Sequence, residues 1–226
     1  APRSDTAGRL SIQIAANLLQ QPQGGKGLLL GGLPAAERGK VAVLGGGQAG
    51  GSAVAMAAAM GAEVTVFDMK RERLEAMRAL GANVTALYPY ADAVDQAVRA
   101  ADILIGAVLI PGAKATHVVT RKQVQGMTPG SVVVDISVDQ GGCIETTRPT
   151  TYAAPTYLVD GVVHFCVTNM PGAVPHSASQ ALSAALLPYV QVLAGDPNWR
   201  HHTALAAGLN IDAGAIVHPA VRAASG

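Results

Sequence analysis

The chain has 226 residues, of which 50% are hydrophobic, 14% charged and 4% aromatic, and its formal net charge is +1. That is enough apolar material for a sizeable core, and the near-neutral balance, with no Lys/Arg-rich run, argues against nucleic acid or an anionic membrane as partner. No uninterrupted apolar stretch is long enough to predict a membrane-spanning helix.

In chain order, "SDTAGRLSIQIAANLLQ" carries Leu10, Ile14 and Leu18 at helical spacing, with Ser4 as the expected N-cap. Pro22 and the glycines around it end that helix. Short apolar runs bounded by Gly, Pro or Asp predict strands at 41–44, 64–67, 83–87, 103–107, 132–136 and 163–168. Helical segments are expected between most of them, at 49–60, 71–80, 91–100 and 120–127. A last long helix near 177–193 carries Leu182, Leu186, Leu187 and Val190 on one side. The tail after Asp196 is rich in Ala and Gly and weakly periodic, and no internal repeat or linker stands out. Strands that alternate with helices imply crossovers, and hence an α/β fold with a doubly wound parallel sheet and helices on both faces.

The stretch "VAVLGGGQAG" joins the first of these strands to its helix through Gly45-x-Gly47-x-x-Gly50. In such a turn the first glycine lets the chain bend out of the strand, the second admits a pyrophosphate, and the third lets the helix pack on the sheet. The helix N-terminus then offers unpaired N–H groups to the phosphates. The second strand, "AEVTVFD", ends in Asp68, roughly 20 residues on, where an acid accepts hydrogen bonds from ribose hydroxyls. Strand, glycines, helix and acid together predict a Rossmann-type dinucleotide site. A carboxylate beside the ribose repels a 2′-phosphate, so Asp68 favours NAD over NADP; Lys70, Arg71 and Arg73 follow closely and either accept a phosphate, which would weaken that preference, or form the solvated start of the next helix, the commoner outcome.

Three turn-rich segments follow the later strands, at the end of the sheet where open α/β folds bind ligands. Asp139, before Gly141 and Gly142, either orients a water or handles a proton beside a nicotinamide, or caps its own turn. Arg148 is an anchor for a phosphate or carboxylate, or a surface arginine. Asn169 reaches a cofactor carboxamide or holds its own turn. Cys143 and Cys166 lack CxxC or metal spacing and are expected to be buried free thiols; no metal site is predicted. The opening "APRSDTAGRL" lacks an apolar signal core, which makes a cytoplasmic location the default expectation.

Four segments, "GRLSIQIAANLLQQPQGGKGLLLGG", "ADILIGAVLIPGAKA", "MTPGSVVVDISVDQGGCIETTRPTT" and "FCVTNMPGAVPHS", resemble the alanine dehydrogenase family, from the start of the chain to about Leu193. The NAD-binding component of proton-translocating transhydrogenases is similar too, but "DQGGCIETTRPTT" is closer to alanine dehydrogenase. A non-catalytic NAD-binding module is the remaining alternative, and "DQGG" argues against it. The resemblance implies a Rossmann domain over 1–193, with 194–226 a remnant of a second, substrate domain. It implies reversible oxidative deamination of L-alanine to pyruvate and ammonium with NAD as hydride acceptor, in a homo-oligomer, hexameric in the family. It makes Asp139 the catalytic aspartate. Ser4, Asp68, Arg73, Val108, Leu109 and Arg148 match cofactor-contacting positions, as do Ile136, Ser137 and Val138 before Asp139, and Val167, Asn169 and Met170 after the sixth strand; Gln48 and Ala49 lie inside the glycine turn. Pro89 stands where relatives carry a serine near the adenine.

The resemblance also implies an upstream portion that supplies an arginine and a lysine for the substrate carboxylate and the catalytic histidine. The six histidines here, His117, His164, His176, His201, His202 and His218, do not match that histidine in context and are expected to be structural or superficial. The sequence is therefore expected to be the NAD-binding half of an alanine dehydrogenase, inactive by itself.

Overall fold

Strand β1 (Lys40–Leu44) reads K-V-A-V-L, and its last four residues are all buried. Such a run suits a strand covered on both faces. The computed structural model describes residues 2–108 and 117–224, and contacts divide the chain into two compact units, Ala1–Pro175 and His176–Gly226. In the first unit β1 is joined by β2 (Glu63–Phe67), β3 (Val84–Leu87), β4 (Ile103–Gly106), β5 (Val132–Asp135), β6 (Thr156–Val159) and β7 (Val162–Phe165), in the spatial order β3-β2-β1-β4-β5-β7-β6. Every neighbouring pair is parallel except β6 with β7.

Alternation along the strands sorts the core into two layers. On one face Val41, Val43, Val64, Val66, Ile103 and Ile105 pack with Ile12 and Ala15 of α1 (Pro2–Leu18) and Ala53 and Val54 of α2 (Gln48–Ala59). On the other, Ala42, Leu44, Leu104 and Val133 meet Val94 and Val98 of α4 (Ala91–Ala100) and Val124 of α5 (Arg121–Gln125). Between them in the chain, α3 (Arg71–Arg78) follows β2 and buries none of its residues. The short α5 is fixed by a capping box, in which Thr120 accepts from the Gln123 N–H and the Gln123 side chain accepts from the Thr120 N–H. Because the chain runs from β1 outward to β2 and β3, then returns to place β4 on the opposite side of β1, a crevice opens beyond the carboxyl ends of β1 and β4.

Three expectations need correction. The sheet is not wholly parallel, since β6 adds an antiparallel edge strand. It forms a hairpin with β7 through Asp160 and Gly161, whose φ values of 51° and 79° are those of a type I′ turn. Ser4 is not an N-cap, because the helix already includes Pro2. The expected last long helix is α6 (Pro175–Gly195), but the tail after it is more regular than its composition suggests, with α7 (Thr203–Ala207), the two-stranded β8 (Ile211–Asp212) and β9 (Ala215–Ile216), and α8 (Pro219–Ala224). The thiols of Cys143 and Cys166 are buried and free, as expected, and burial pushes them up to about 12 and about 11. Among the described residues no helix is long and apolar enough to cross a membrane.

His164 of β7 is fully buried and structural. Its Nδ1 lies 3.0 Å from the Val162 carbonyl, which only accepts, so Nδ1 carries the proton and Nε2 accepts from the Thr146 hydroxyl at 2.8 Å. Burial lowers its pKa, so the native state binds fewer protons than the unfolded state, and its contribution to stability is present above about pH 6.5 and lost as pH falls below that value. His164→Phe is expected to flatten the decline in urea midpoint between pH 7 and pH 5.5; an unaltered decline would place that titration elsewhere.

Candidate dinucleotide site

The turn after β1 is built from glycines with separate jobs. Gly45 has φ +94°, a conformation that bends the chain out of the strand, and its N–H donates to the Phe67 carbonyl at 2.8 Å. Gly50 sits so close to the turn that a Cβ there would lie 1.7 Å from the Gly45 oxygen. At Gly47, the N-cap of α2, a Cβ would meet only Arg73 Nη1, at 3.7 Å. The fold thus needs Gly45 and Gly50 bare, and it leaves Gly47 bare toward open space. No side chain caps α2 and its first turn holds no acidic residue, so its N–H groups and the positive end of its dipole are available to an anion.

Asp68 stands at the end of β2, across the turn. One oxygen accepts from the Gly46 N–H at 2.8 Å and from Arg73 Nη1 at 3.2 Å; the other accepts from the Lys70 N–H at 2.8 Å. Burial would raise its pKa, but the Lys70 and Gly46 amides and the Arg73 guanidinium outweigh that and hold the carboxyl below its ordinary value. A carboxylate has about four acceptor sites, so room remains for ribose hydroxyls. Helix α1 forms the adjoining wall. Asp5 accepts from the Ser52 hydroxyl at 2.5 Å and from Gln48 Nε2 at 2.7 Å, which lowers its pKa and pins α1 to the N-terminal part of α2.

These pieces border one cleft of about 600 Å³. Gly47, Gln48, Asp68 and Arg73 line it together with Val108, Ile136, Ser137, Asp139, Val167 and Met170. Asp139 is exposed and is the middle residue of a single turn of 3-10 helix, Val138–Gln140. Its carboxylate takes no hydrogen bond or ion pair among the described residues, so capping of its own turn is not what it does here. A cleft with an anion-binding helix terminus and an acid at the neighbouring strand end, and a second, uncommitted carboxylate further along, suits an elongated dinucleotide with its reactive ring toward Asp139.

Residues 11–219 match the C-terminal domain of the alanine dehydrogenase/PNT family. The chain belongs to that family. It is 49% identical to the alanine dehydrogenase of Halomonas elongata, an alignment that takes in 100% of this chain and 62% of that protein. A solved L-alanine dehydrogenase superposes with a TM-score of 0.92 at 50% identity, over 98% of this chain and 62% of the other. A transhydrogenase from Sinorhizobium meliloti follows at 0.80 and 28%, over 97% and 60%. The chain therefore spans a little over three fifths of the length of these relatives.

Of the family positions expected from sequence, Ser4, Gly45 and Ala49 also border the cleft. Gly50 and the buried Val138 do not; Gly50 acts through packing. Asn169 is exposed outside the lining and precedes the 3-10 turn Met170–Ala173. Arg148 is likewise outside it, with its guanidinium 4.1 Å over the Tyr157 ring and its N–H donating to the Tyr157 hydroxyl. Leu109 falls outside the described residues. Sequence reasoning missed Arg3, Met69, Gln140 and Thr168 as lining residues. Arg3 and Ala7 lie four apart on α1 beside Ser4, so helical periodicity could have placed them on the same face.

The two glycines are expected to part company on substitution. Gly50→Ala should lower stability by about 2 kcal/mol or more through overpacking against the Gly45 carbonyl. Gly47→Ala should leave the urea midpoint near wild type while weakening dinucleotide binding at least tenfold by calorimetry. Undiminished binding by Gly47→Ala would mean that the backbone there is not approached by a ligand.

Proposed function

We propose that this chain is the NAD-binding portion of an alanine dehydrogenase, a polypeptide that interconverts L-alanine with pyruvate and ammonium. The observation that carries the reading is the placement of Asp139 in the same cleft as the bare Gly47 backbone and Asp68, in a chain of this family. By resemblance, 1–193 is assigned to the NAD-binding domain and 194–226 to a remnant of the substrate domain; contacts alone group α6 with the C-terminal residues. The arginine, lysine and histidine with which the family handles substrate are assigned to the remainder of the longer polypeptide.

NAD, when bound, supplies the hydride acceptor. The α2 terminus holds the pyrophosphate, Gly47 lets it approach, and Asp68 accepts from the adenosine ribose while repelling a 2′-phosphate. Asp139 orients the attacking water and the amine of alanine, and its carboxylate is the acceptor such groups require. Most of the rate advantage in this division of roles comes from holding hydride donor and acceptor in contact. The exposed leucines of α6, among them Leu182, Leu186 and Leu187, support assembly into a homo-oligomer, a hexamer by resemblance. Two buried free thiols fit a reducing compartment, the cytoplasm.

Asp68→Ala is expected to cost roughly 1.5–3 kcal/mol of NAD binding, the range for a hydrogen bond to a charged acceptor, and to narrow the preference over NADP. Wild type that bound NADP as tightly as NAD would refute the role of Asp68. The 226-residue chain should bind NAD yet form no NADH with L-alanine, because the residues with which the family grips the substrate carboxylate are assigned to the remainder of the longer polypeptide. In the longer polypeptide, Asp139→Asn should keep NAD binding and lose most turnover, measured by NADH absorbance; full turnover in that variant would sink the catalytic assignment.

A further inference from the structure

The last residue of β5, Asp135, is fully buried, and among the described residues no cation pairs with it. Four donors take its place. Oδ1 accepts from the Ser137 N–H at 3.0 Å and the Ser137 hydroxyl at 2.7 Å. Oδ2 accepts from the Cys143 N–H at 3.0 Å and the Thr147 hydroxyl at 2.7 Å. The Thr147 oxygen is also 2.8 Å from the Ile144 carbonyl, and its single proton goes to the carboxylate, the stronger acceptor. These donors sit at both ends of the segment that leaves β5, passes through Ser137, Asp139 and Gln140 on the cleft, and returns at Cys143.

The segment is drawn in tightly. Gly142 has φ +68°, and a Cβ on it would lie 2.8 Å from Asp135 Oδ2. A Cβ on Gly106, the β4 partner of Asp135, would lie 3.1 Å from Asp135 Oδ1 and 2.8 Å from Cys143 Sγ. The second glycine of "DQGG" is therefore accounted for by its approach to Asp135. Burying a carboxylate without a cation is costly unless its hydrogen bonds are complete, so the four donors can neither leave nor rearrange cheaply.

We propose that Asp135 is a positioning residue: by binding both ends of the 136–147 segment it fixes Ser137 and Asp139 at the reactive end of the cleft. It touches no ligand itself. The inference rests on the NAD reading above, and it concerns only the half of the cofactor that reaches this segment, since Asp68, Gly47 and α2 lie outside it. ADP-ribose, which lacks only the nicotinamide, reports on those other groups and on the second ribose, so the difference between the two ligands isolates the nicotinamide.

The test is calorimetry on the 226-residue chain with NAD and with ADP-ribose, for wild type, Asp135→Asn and Thr147→Val. Wild type is expected to bind NAD more tightly than ADP-ribose. Both variants should shrink that advantage at least fivefold with ADP-ribose affinity unchanged, and amide exchange should quicken at Ser137 and Cys143 but not in β1 or β2. Thr147→Val keeps the side-chain shape and decides the matter if Asp135→Asn does not fold. Equal losses for both ligands would reduce Asp135 to a purely structural role and overturn the proposal, as would an NAD advantage that is absent in wild type or persists in Thr147→Val. Wild type that bound neither ligand would instead remove the NAD reading on which the proposal stands.

Discussion

The cleft depends on one close approach, that of Gly50 in α2 to the carbonyl of Gly45 at the end of β1. A Cβ would occupy the space of that oxygen, so the helix reaches its position only because Gly50 has none. Glycine inside a helix costs about 1 kcal/mol relative to alanine, and it is retained here because helix and strand could not otherwise meet. The consequence is electrostatic: the first turn of α2 is brought directly over the strand ends, where its unpaired N–H groups face the crevice. The same device recurs one layer out. At Gly8 of α1 a Cβ would lie 2.1 Å from the Ala49 carbonyl, and Asp5 then binds Gln48 and Ser52. Helix α1 is thereby a wall of the site and not only a lid on the core.

Two strand-end carboxylates are solvated in different ways, and this gives the two ends of the cleft different character. Asp68 has a cation, but the Arg73 side chain is 45% exposed and sits at 3.2 Å. An ion pair that accessible to water is weak, so it can yield to hydroxyl groups at small cost. Asp135 has only uncharged donors, at 2.7–3.0 Å, and each of its oxygens already holds two. One end of the cleft is adaptable and the other is set.

Much of this was legible in the sequence. The runs at β1, β4 and β5 are almost wholly apolar because both faces of the sheet are covered there, and α4 keeps its expected bounds. The glycine spacing and Asp68 singled out, without any structure, residues that border one cleft. The antiparallel β6 was missed although "VDGV" carries an Asp-Gly signal, because "TYLV" is a half-exposed edge that lacks the dense apolar run of its neighbours. The role of Asp135 was hidden for a different reason. Its donors, Ser137, Cys143 and Thr147, are ordinary loop residues, and nothing in their spacing says that a buried carboxylate gathers them. Family resemblance drew attention to Asp139, which is exposed, and passed over the buried acid four residues earlier. Arg148 shows the converse limit: a cation in a suggestive motif lies against Tyr157, outside the cleft lining.

Under the proposed function, the division between an adaptable end and a fixed end follows from what each would have to do. Holding a ribose and a pyrophosphate needs several moderate hydrogen bonds whose exact lengths matter little, a need that glycine backbone and a half-exposed ion pair suit. Hydride transfer depends steeply on geometry, and an ångström of misplacement costs about two orders of magnitude in rate. A carboxylate that is to orient groups at that end cannot rest on an unsupported surface loop. Asp139 is exposed, as a group that meets ligands must be, so its rigidity has to come from beneath. Asp135 is placed to provide it, with both oxygens saturated and both ends of the segment bound. Under the proposed function, the binding groups of the first unit would come from α1, β1 and β2 and the orienting segment from β5, so affinity for the nucleotide and precision at the reacting carbon would rest on separate parts of the sheet.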